Sequence, residues 1–565
     1  MIKQVDKRGI FGLFDSSVFF LFVLLVLTVF IYKNLFFAEF LDYDDIGNVV
    51  QNQSIFSLEI RNIIAIFKTS VLYSYNPVTF LVYALEYRVF GMNPSGFHLI
   101  NILLHLANIL LVFRFTNLIT GVRNTGLISA SLFALHPIHT DIVGWISAQN
   151  YLLCTLFALL SIVYYIQYLK MTNRKKSNIV LSVLFFCLAL LSKSQAVTLA
   201  LIFLLINWLF KVRYNFHTLI ITGIFFILAI VTGFATLYFR ADMGKTEIIP
   251  DYSFAEKLLV ISFSMVKYIW KLFIPVNLTA IDPFPVKSQG NWLPWIVYLS
   301  PVLIVSVIFV LVKFKNKSPI LITGVLFFVF NILITQVTFL EDSFSANRYF
   351  YLSSIGLYIP ISMFGIYLYK KIARFRYWLL AGFGLLLILL MRITSLRSGE
   401  WENTYTLSSS IINKSPKVIM AYNLRGIWHY NQGKFDQSIQ DFSKAIFAFP
   451  NYSSAYYNRG LSESALQNHD KALIDYGRAI ELNPNFVSAY LARGIVMLDI
   501  QKNYPNAIED FNKALSLKPA YPQAYYNLGL TYFRMQNLEE ACRNWYFVKK
   551  LGYSQADGMI EKYCR

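Results

Sequence analysis

A carboxylate can take the proton from a hydroxyl, and a guanidinium or ammonium can hold a phosphate. The chain carries both kinds of group in short polar islands between long apolar runs. FLDYDDIGNVVQN sets Asp42, Asp44 and Asp45 together after the first apolar run. An acid there either serves as a general base or caps a short interfacial helix, which Asp does well. LHPIHTDIVGWISAQN clusters His136, His139 and Asp141 beside Trp145. That set either approaches a divalent metal or forms a hydrogen-bonded turn in an aromatic belt. LLSKSQ contributes Lys193, a phosphate ligand or a snorkelling lysine. FSANRYFYLSSIG contributes Arg348 with Tyr349 beside it. Arg offers two parallel donors to phosphate oxygens, whether of a lipid headgroup or of a lipid-linked substrate.

These residues need a scaffold, and the composition says what kind. Of 565 residues, 56% are apolar, 17% aromatic and only 14% charged, against about 25% charged in soluble domains. Mean hydropathy is +0.51. An all-α membrane bundle follows, since a bilayer must serve as solvent for much of the chain. Apolar runs at 17–36, 99–120, 125–146, 151–169, 177–193, 195–211, 216–239, 293–312, 318–340, 350–369 and 376–393 predict about 11 crossings. Segment 254–275 is apolar but carries Lys257, Lys267 and Lys271, and reads as an interfacial or re-entrant helix.

Fifty Lys and Arg against 31 Asp and Glu leave a net charge of +19. The excess concentrates in alternate connections: Lys3/Lys7/Arg8, Arg114/Arg123, Lys170/Arg174/Lys175/Lys176, Lys211/Arg213, Lys313/Lys315/Lys317 and Lys370/Lys371/Arg374/Arg376. The positive-inside rule puts these in the cytoplasm, as in a bacterial inner-membrane protein, and accounts for the charge without nucleic acid. The Asp44, His136, Lys193 and Arg348 islands then share the outer face, as does everything after residue 394. Four cysteines give no zinc spacing; Cys542 and Cys564 permit one late disulfide.

From about residue 415 the texture changes. Ala421, Ala455, Ala489 and Ala524 open the words AYNLRG, AYYNRG, AYLARG and AYYNLG at spacings of 34, 34 and 35. Pro450, Pro484 and Pro519 close successive units. Such a period marks tetratricopeptide repeats, paired helices that bury their apolar faces by stacking. A solenoid of this kind carries no chemistry itself and commonly binds an extended peptide. Asn423, Asn458 and Asn527 recur at one register, as peptide contacts or as repeat consensus. The expected organisation is a membrane domain over 1–396, a linker over 397–416 and a repeat domain over 417–565.

YDD after the first span, HPIHTDIVGWIS, LLSKS, NRYFYLSSIG and RSGEWENTYTLSSSIINKSP at 397–416, followed by outward repeats, together resemble the transmembrane and tetratricopeptide-repeat O-mannosyltransferases and their bacterial relatives. These are GT-C glycosyltransferases. The resemblance implies a sugar donor on a polyprenyl phosphate, inversion at the anomeric carbon, and a protein or glycan hydroxyl as acceptor, a protein or peptide being held by the repeats. It assigns one of Asp44 and Asp45 as base and Arg348 and Lys193 as phosphate-binding cations. His136, His139, Asp141 and Tyr349 become cavity residues, with no cofactor required beyond an optional divalent metal. The chain departs from the family pattern at three places: Ser194 and Asn347 stand where acids are usual, and Gln149-Asn150 replace a charged pair. A glycan polymerase would carry its large outer loop later in the chain. A non-catalytic scaffold or transporter is the reading from another class, but no inverted halves are visible.

Overall fold

The computed structural model describes residues 16–72, 74–170, 175–240, 252–287, 292–314, 318–337 and 345–564. Lys3, Lys7, Arg8, Arg174, Lys315 and Lys317 lie outside the described residues. Among the described residues the chain is helical, apart from one isolated bridge between Val71 and Ser74. It divides into two compact units, Met1–Ser415 and Pro416–Arg565.

The first unit contains α1 (Ser16–Ile31), α2 (Ile60–Lys68), α3 (Pro77–Phe90), α4 (Pro94–Thr120), α5 (Arg123–Leu135), α6 (Thr140–Gly144), α7 (Gln149–Lys170) and α8 (Lys176–Ser192). It continues with α9 (Leu199–Leu209), α10 (Phe216–Arg240), α11 (Phe254–Phe273), α12 (Trp295–Phe314), α13 (Pro319–Val337), α14 (Phe350–Lys371), α15 (Arg376–Ser398) and α16 (Thr404–Lys414). Among the described residues, five stretches are both long and apolar enough to cross a bilayer: Pro94–Thr120, Ile146–Lys170, Phe216–Phe239, Asn347–Lys371 and Ala373–Trp401. Shorter apolar helices occupy Ser17–Ile31, Lys176–Ser192, Ser194–Leu209, Trp295–Phe309 and Pro319–Leu333. Helix α11 is in neither group. A capping box between Ser253 and Glu256 starts it.

One expected span is built differently. The run 125–146 stops being a continuous helix at Leu135, because Pro137 cannot donate to the ladder. Thirteen residues reach only about 20 Å, short of the hydrocarbon thickness. The chain completes the passage in short turns over Pro137–Ala148, and residues 129–148 are buried throughout. Irregular backbone at this depth needs protein partners. The Thr394 hydroxyl donates to Leu135 O at 2.7 Å, and the Thr140 hydroxyl to Pro137 O at 2.9 Å. Ser129 Oγ meets Ser362 Oγ at 2.9 Å on α14. The segment runs antiparallel to α14, from Arg123 near the end of that helix to Trp145 beside Arg348 before its start.

Small residues permit the close crossings. A Cβ added at Gly324 of α13 would stand 2.4 Å from the Gly356 carbonyl oxygen of α14, so only glycine fits there. Of residues 397–416, read as a linker from sequence, 397–415 belong to the first unit: Trp401 is buried against Gly144, and the Thr404 hydroxyl accepts the Asp42 N–H at 2.8 Å.

The second unit pairs helices α17 (Ile419–Asn431) and α18 (Phe435–Ala448), α19 (Ser453–Ala465) and α20 (His469–Leu482), α21 (Val487–Asp499) and α22 (Tyr504–Leu517), and α23 (Pro522–Arg534) and α24 (Leu538–Lys550), closing with α25 (Asp557–Tyr563). Ala421, Ala455, Ala489 and Ala524 are each fully buried. Gly426, Gly460, Gly494 and Gly529 each lie under an aromatic of the following helix, Phe442, Tyr476, Phe511 and Trp545. The repeated Arg closes each of the first three pairs on an Asp: Arg425–Asp441, Arg459–Asp475 and Arg493–Asp510, at 2.7–2.9 Å with two donors apiece. Asn458 Nδ2 donates to Asn423 Oδ1 at 3.0 Å, so two of the recurring asparagines join neighbouring repeats. Cys542 and Cys564 form a disulfide that ties α25 back to α24.

Candidate active site

The acidic loop after α1 divides its carboxylates. Asp45 is fully buried, at 0% exposure, and its oxygens accept from Leu41 N at 3.0 Å, Ser147 N at 2.8 Å and Ser147 Oγ at 2.5 Å. Burial pushes its carboxyl up to about 6, although the Ser147 and Leu41 donors oppose the shift. Asp44, next to it, stays half-exposed. Asp45 thus ties the acidic loop to the turn after α6, and Asp44 is presented from that fixed base. Asp42 is anchored through its backbone on Thr404.

A chain of rings then joins this loop to the cations. Tyr43 stacks on Trp145 at 4.9 Å between centroids. The Arg348 guanidinium lies 5.5 Å from the centre of the same Trp145 ring and 5.2 Å from that of Tyr349. Tyr349 packs on Tyr151 at 6.2 Å, and Lys193 Nζ lies over Tyr151 at 4.6 Å. Trp145 therefore touches both the acidic loop and Arg348, while Tyr349 and Tyr151 lead from Arg348 to Lys193. Arg348 and Lys193 are both half-exposed, each held over aromatic faces. Residues separated by about 300 positions in sequence meet here.

The remaining sequence candidates point elsewhere. His136 and His139 are buried inside the bundle: His136 Nε2 lies 3.0 Å from Leu272 O, and its Nδ1 accepts the Ile138 N–H at 3.2 Å. His139 Nε2 meets the Tyr358 hydroxyl at 3.1 Å, and its ring packs against Phe133 and Tyr351. Asp141 pairs with Arg397 and accepts from Asn347 Nδ2 at 2.8 Å. The spacing that suggested a metal site instead turns these side chains inward. Among the described residues no three His, Cys, Asp or Glu side chains are grouped to hold an ion.

A buried ionic cluster behind Arg348 was missed from sequence. Arg397 bonds Asp141 and the Leu278 carbonyl. Lys271 bonds Asp282 and donates to Asn347 Oδ1 at 2.7 Å. Lys267 meets Asp282 at 2.9 Å, and the Ser345 hydroxyl donates to Asp282 at 2.7 Å. Burial would raise the Asp282 carboxyl, but Lys271 and Lys267 outweigh it and hold the group well below the usual carboxylate range. The network fixes residues 345–347, and hence the backbone that leads into Arg348. It also explains Asn347: its amide gives one face to the Asp141 acid and the other to the Lys271 ammonium. A carboxylate in its place would confront Asp141.

Gln149 has a comparable explanation. Its Nε2 donates to Glu86 Oε1 at 2.7 Å and to Asn101 Oδ1 at 3.1 Å. Glu86 is 4% exposed, and burial pushes its carboxyl up to about 8 despite the Gln149 donor. An acid at 149 would repel it. Sequence position alone offered little sign of Glu86, one of two charges in a mostly apolar helix.

Residues 74–234 match the dolichyl-phosphate-mannose-protein mannosyltransferase family. Residues 453–486 match the tetratricopeptide repeat, and residues 500–536 match a further repeat of this type. Protein O-mannosyl-transferase TMTC4 of Mus musculus is 30% identical over 418 residues, covering 64% of this chain and 55% of that protein. Protein O-mannosyl-transferase F38B6.6 of Caenorhabditis elegans is 27% identical over 371 residues, covering 64% of this chain and 51% of that protein. The chain thus spans about half the length of these relatives. Among solved structures, MamA aligns at 23% identity over 27% of this chain and 88% of its own, with a TM-score of 0.25. A mannosyltransferase segment followed by tetratricopeptide repeats is thus the order of matches along the chain, which is similar over part of its length to these protein O-mannosyl-transferases.

Proposed function

We propose that the chain is a membrane glycosyltransferase that moves a sugar, mannose by analogy with its named relatives, from a polyprenyl phosphate to a Ser or Thr hydroxyl of a protein. Asp44 takes the hydroxyl proton as the oxygen attacks the anomeric carbon. The bond from that carbon to the phosphate oxygen breaks, with inversion, and the departing polyprenyl phosphate carries the charge. Arg348 and Lys193 bind that phosphate and stabilise the developing negative charge. Asp45, buried and hydrogen-bonded three times, positions the loop instead of exchanging protons with substrate. The reaction lies on the outer face, where alternate basic connections leave these islands and the repeats. The repeats bind the acceptor polypeptide, and their disulfide suits an oxidising outer compartment.

The observation that carries this reading is the ring sequence Tyr43–Trp145–Arg348–Tyr349–Tyr151–Lys193, which joins an acidic loop to two cations. Purified protein incubated with polyprenyl-phosphate sugars should release polyprenyl phosphate, and Asp44→Asn and Arg348→Ala should each abolish release. Folded protein that releases none from any such sugar would favour the scaffold reading.

A further inference from the structure

A second site stands at the other end of the same helices. Phe20 of α1, Leu127 and Ser131 of α5, Gly365 and Lys370 of α14, and Phe383 of α15 are among the residues that surround an apolar cleft of about 530 Å³. Each helix contributes one terminus: the starts of α1, α5 and α15 and the end of α14. The active-site Arg348 lies just before the 22-residue α14 and Lys370 at its far end, so the two sites are about 30 Å apart. The cleft therefore belongs to the opposite leaflet.

Its walls accept hydrocarbon and its rim accepts an anion. Lys370 lines it, Lys371, Arg374 and Arg376 follow within the next six residues, and Arg123 opens α5. Neither 121–134 nor 361–390 contains an Asp or Glu. The wall is open at Gly365, where an added Cβ would meet nothing within 4 Å. Basic pockets between transmembrane helices suit anionic headgroups, since the ammonium gains a charged partner and the chain stays in an apolar slot.

We propose that this cleft holds an acyl chain of an anionic glycerophospholipid whose phosphate rests on Lys370 and the neighbouring basic turn. The site is independent of sugar transfer. Delipidated full-length protein in detergent can be titrated with phosphatidylglycerol and phosphatidylcholine of matched chains, with bound lipid counted by native mass spectrometry. Phosphatidylglycerol should bind about tenfold more tightly, and Lys370→Glu should erase that preference while leaving phosphatidylcholine unchanged. Gly365→Leu should exclude both lipids by filling the slot, with lipid-free elution and melting unaltered. If Gly365→Leu fails to fold, Lys370→Glu at the exposed rim decides alone. Equal binding of the two lipids by wild type, or an undiminished preference in Lys370→Glu, would overturn the proposal. Polyprenyl phosphate that binds the cleft more tightly than phosphatidylglycerol and displaces it would also overturn the proposal and assign the cleft to the donor's tail.

Discussion

Ser147 holds Asp45 twice through one oxygen, its N–H donating to Oδ1 at 2.8 Å and its hydroxyl at 2.5 Å. That double contact joins two loops more than 100 residues apart and fixes where Asp44 stands. Removing the hydroxyl in Ser147→Ala takes away a donor that lowers the Asp45 pKa, so the value should rise above its present level of about 6. Protonation of Asp45 weakens its hold on the Ser147 and Leu41 N–H groups and so displaces Asp44. The acid limb of the rate–pH profile should therefore move to higher pH, and transfer near pH 6 should drop about tenfold. A profile identical to wild type would show that this contact does not position the base.

Glu86 gives a prediction about stability. Its folded pKa of about 8 lies above the unfolded value of about 4.3. Its contribution is therefore intact below about pH 4 and is lost progressively as pH rises to about 8. Glu86→Gln keeps the Gln149 partner and removes the titration. The variant should be more stable at pH 7 by on the order of 4 kcal/mol, with melting almost independent of this group between pH 5 and 8. Equal melting of variant and wild type across that range would contradict the buried, neutral carboxyl.

Arg397 is 4% exposed and bonded to Asp141, so Arg397→Met would strand a carboxylate among apolar helices. Loss of one partner of a buried pair costs about 3–5 kcal/mol. Thermal unfolding in detergent should shift down strongly, and adding Asp141→Asn should recover part of the loss. A single variant as stable as wild type would show that the pair does not hold the segment before Arg348.

Reduction of Cys542–Cys564 should loosen only the end of the solenoid. The bond spans 22 residues, and closing such a loop stabilises by about 3 kcal/mol. Hydrogen exchange with reductant should show lost protection over Asp557–Tyr563 and unchanged protection over Ile419–Asn431. Unchanged exchange in both would contradict a stabilising role for the disulfide.

The parts legible in the sequence were those that repeat or that cost free energy in a membrane. AYNLRG and its copies state their own period, and the helices fall where those words predict. Asp44, Lys193 and Arg348 stood out as charges between apolar runs, and the structure brings their segments together. Direction was not legible. His136, His139 and Asp141 have the residue types of a wet site, but the broken helix after Leu135 turns them inward. Partners at long separation were not legible either: Lys271 reads as an interfacial lysine until Asp282 and Asn347 fold over it. Asn347 and Gln149 looked like losses, and each proves to be an amide placed beside a buried acid.

The most direct measurement is release of polyprenyl phosphate from polyprenyl-phosphate mannose by purified protein with an acceptor polypeptide, comparing wild type, Asp44→Asn and Asp45→Asn. Asp44→Asn should fall at least about a thousandfold, as for loss of the base, while Asp45→Asn should retain measurable transfer with its acid limb moved to lower pH. Wild-type rates in Asp44→Asn, or complete loss in Asp45→Asn alone, would contradict the assignment of Asp44 as base and Asp45 as its support.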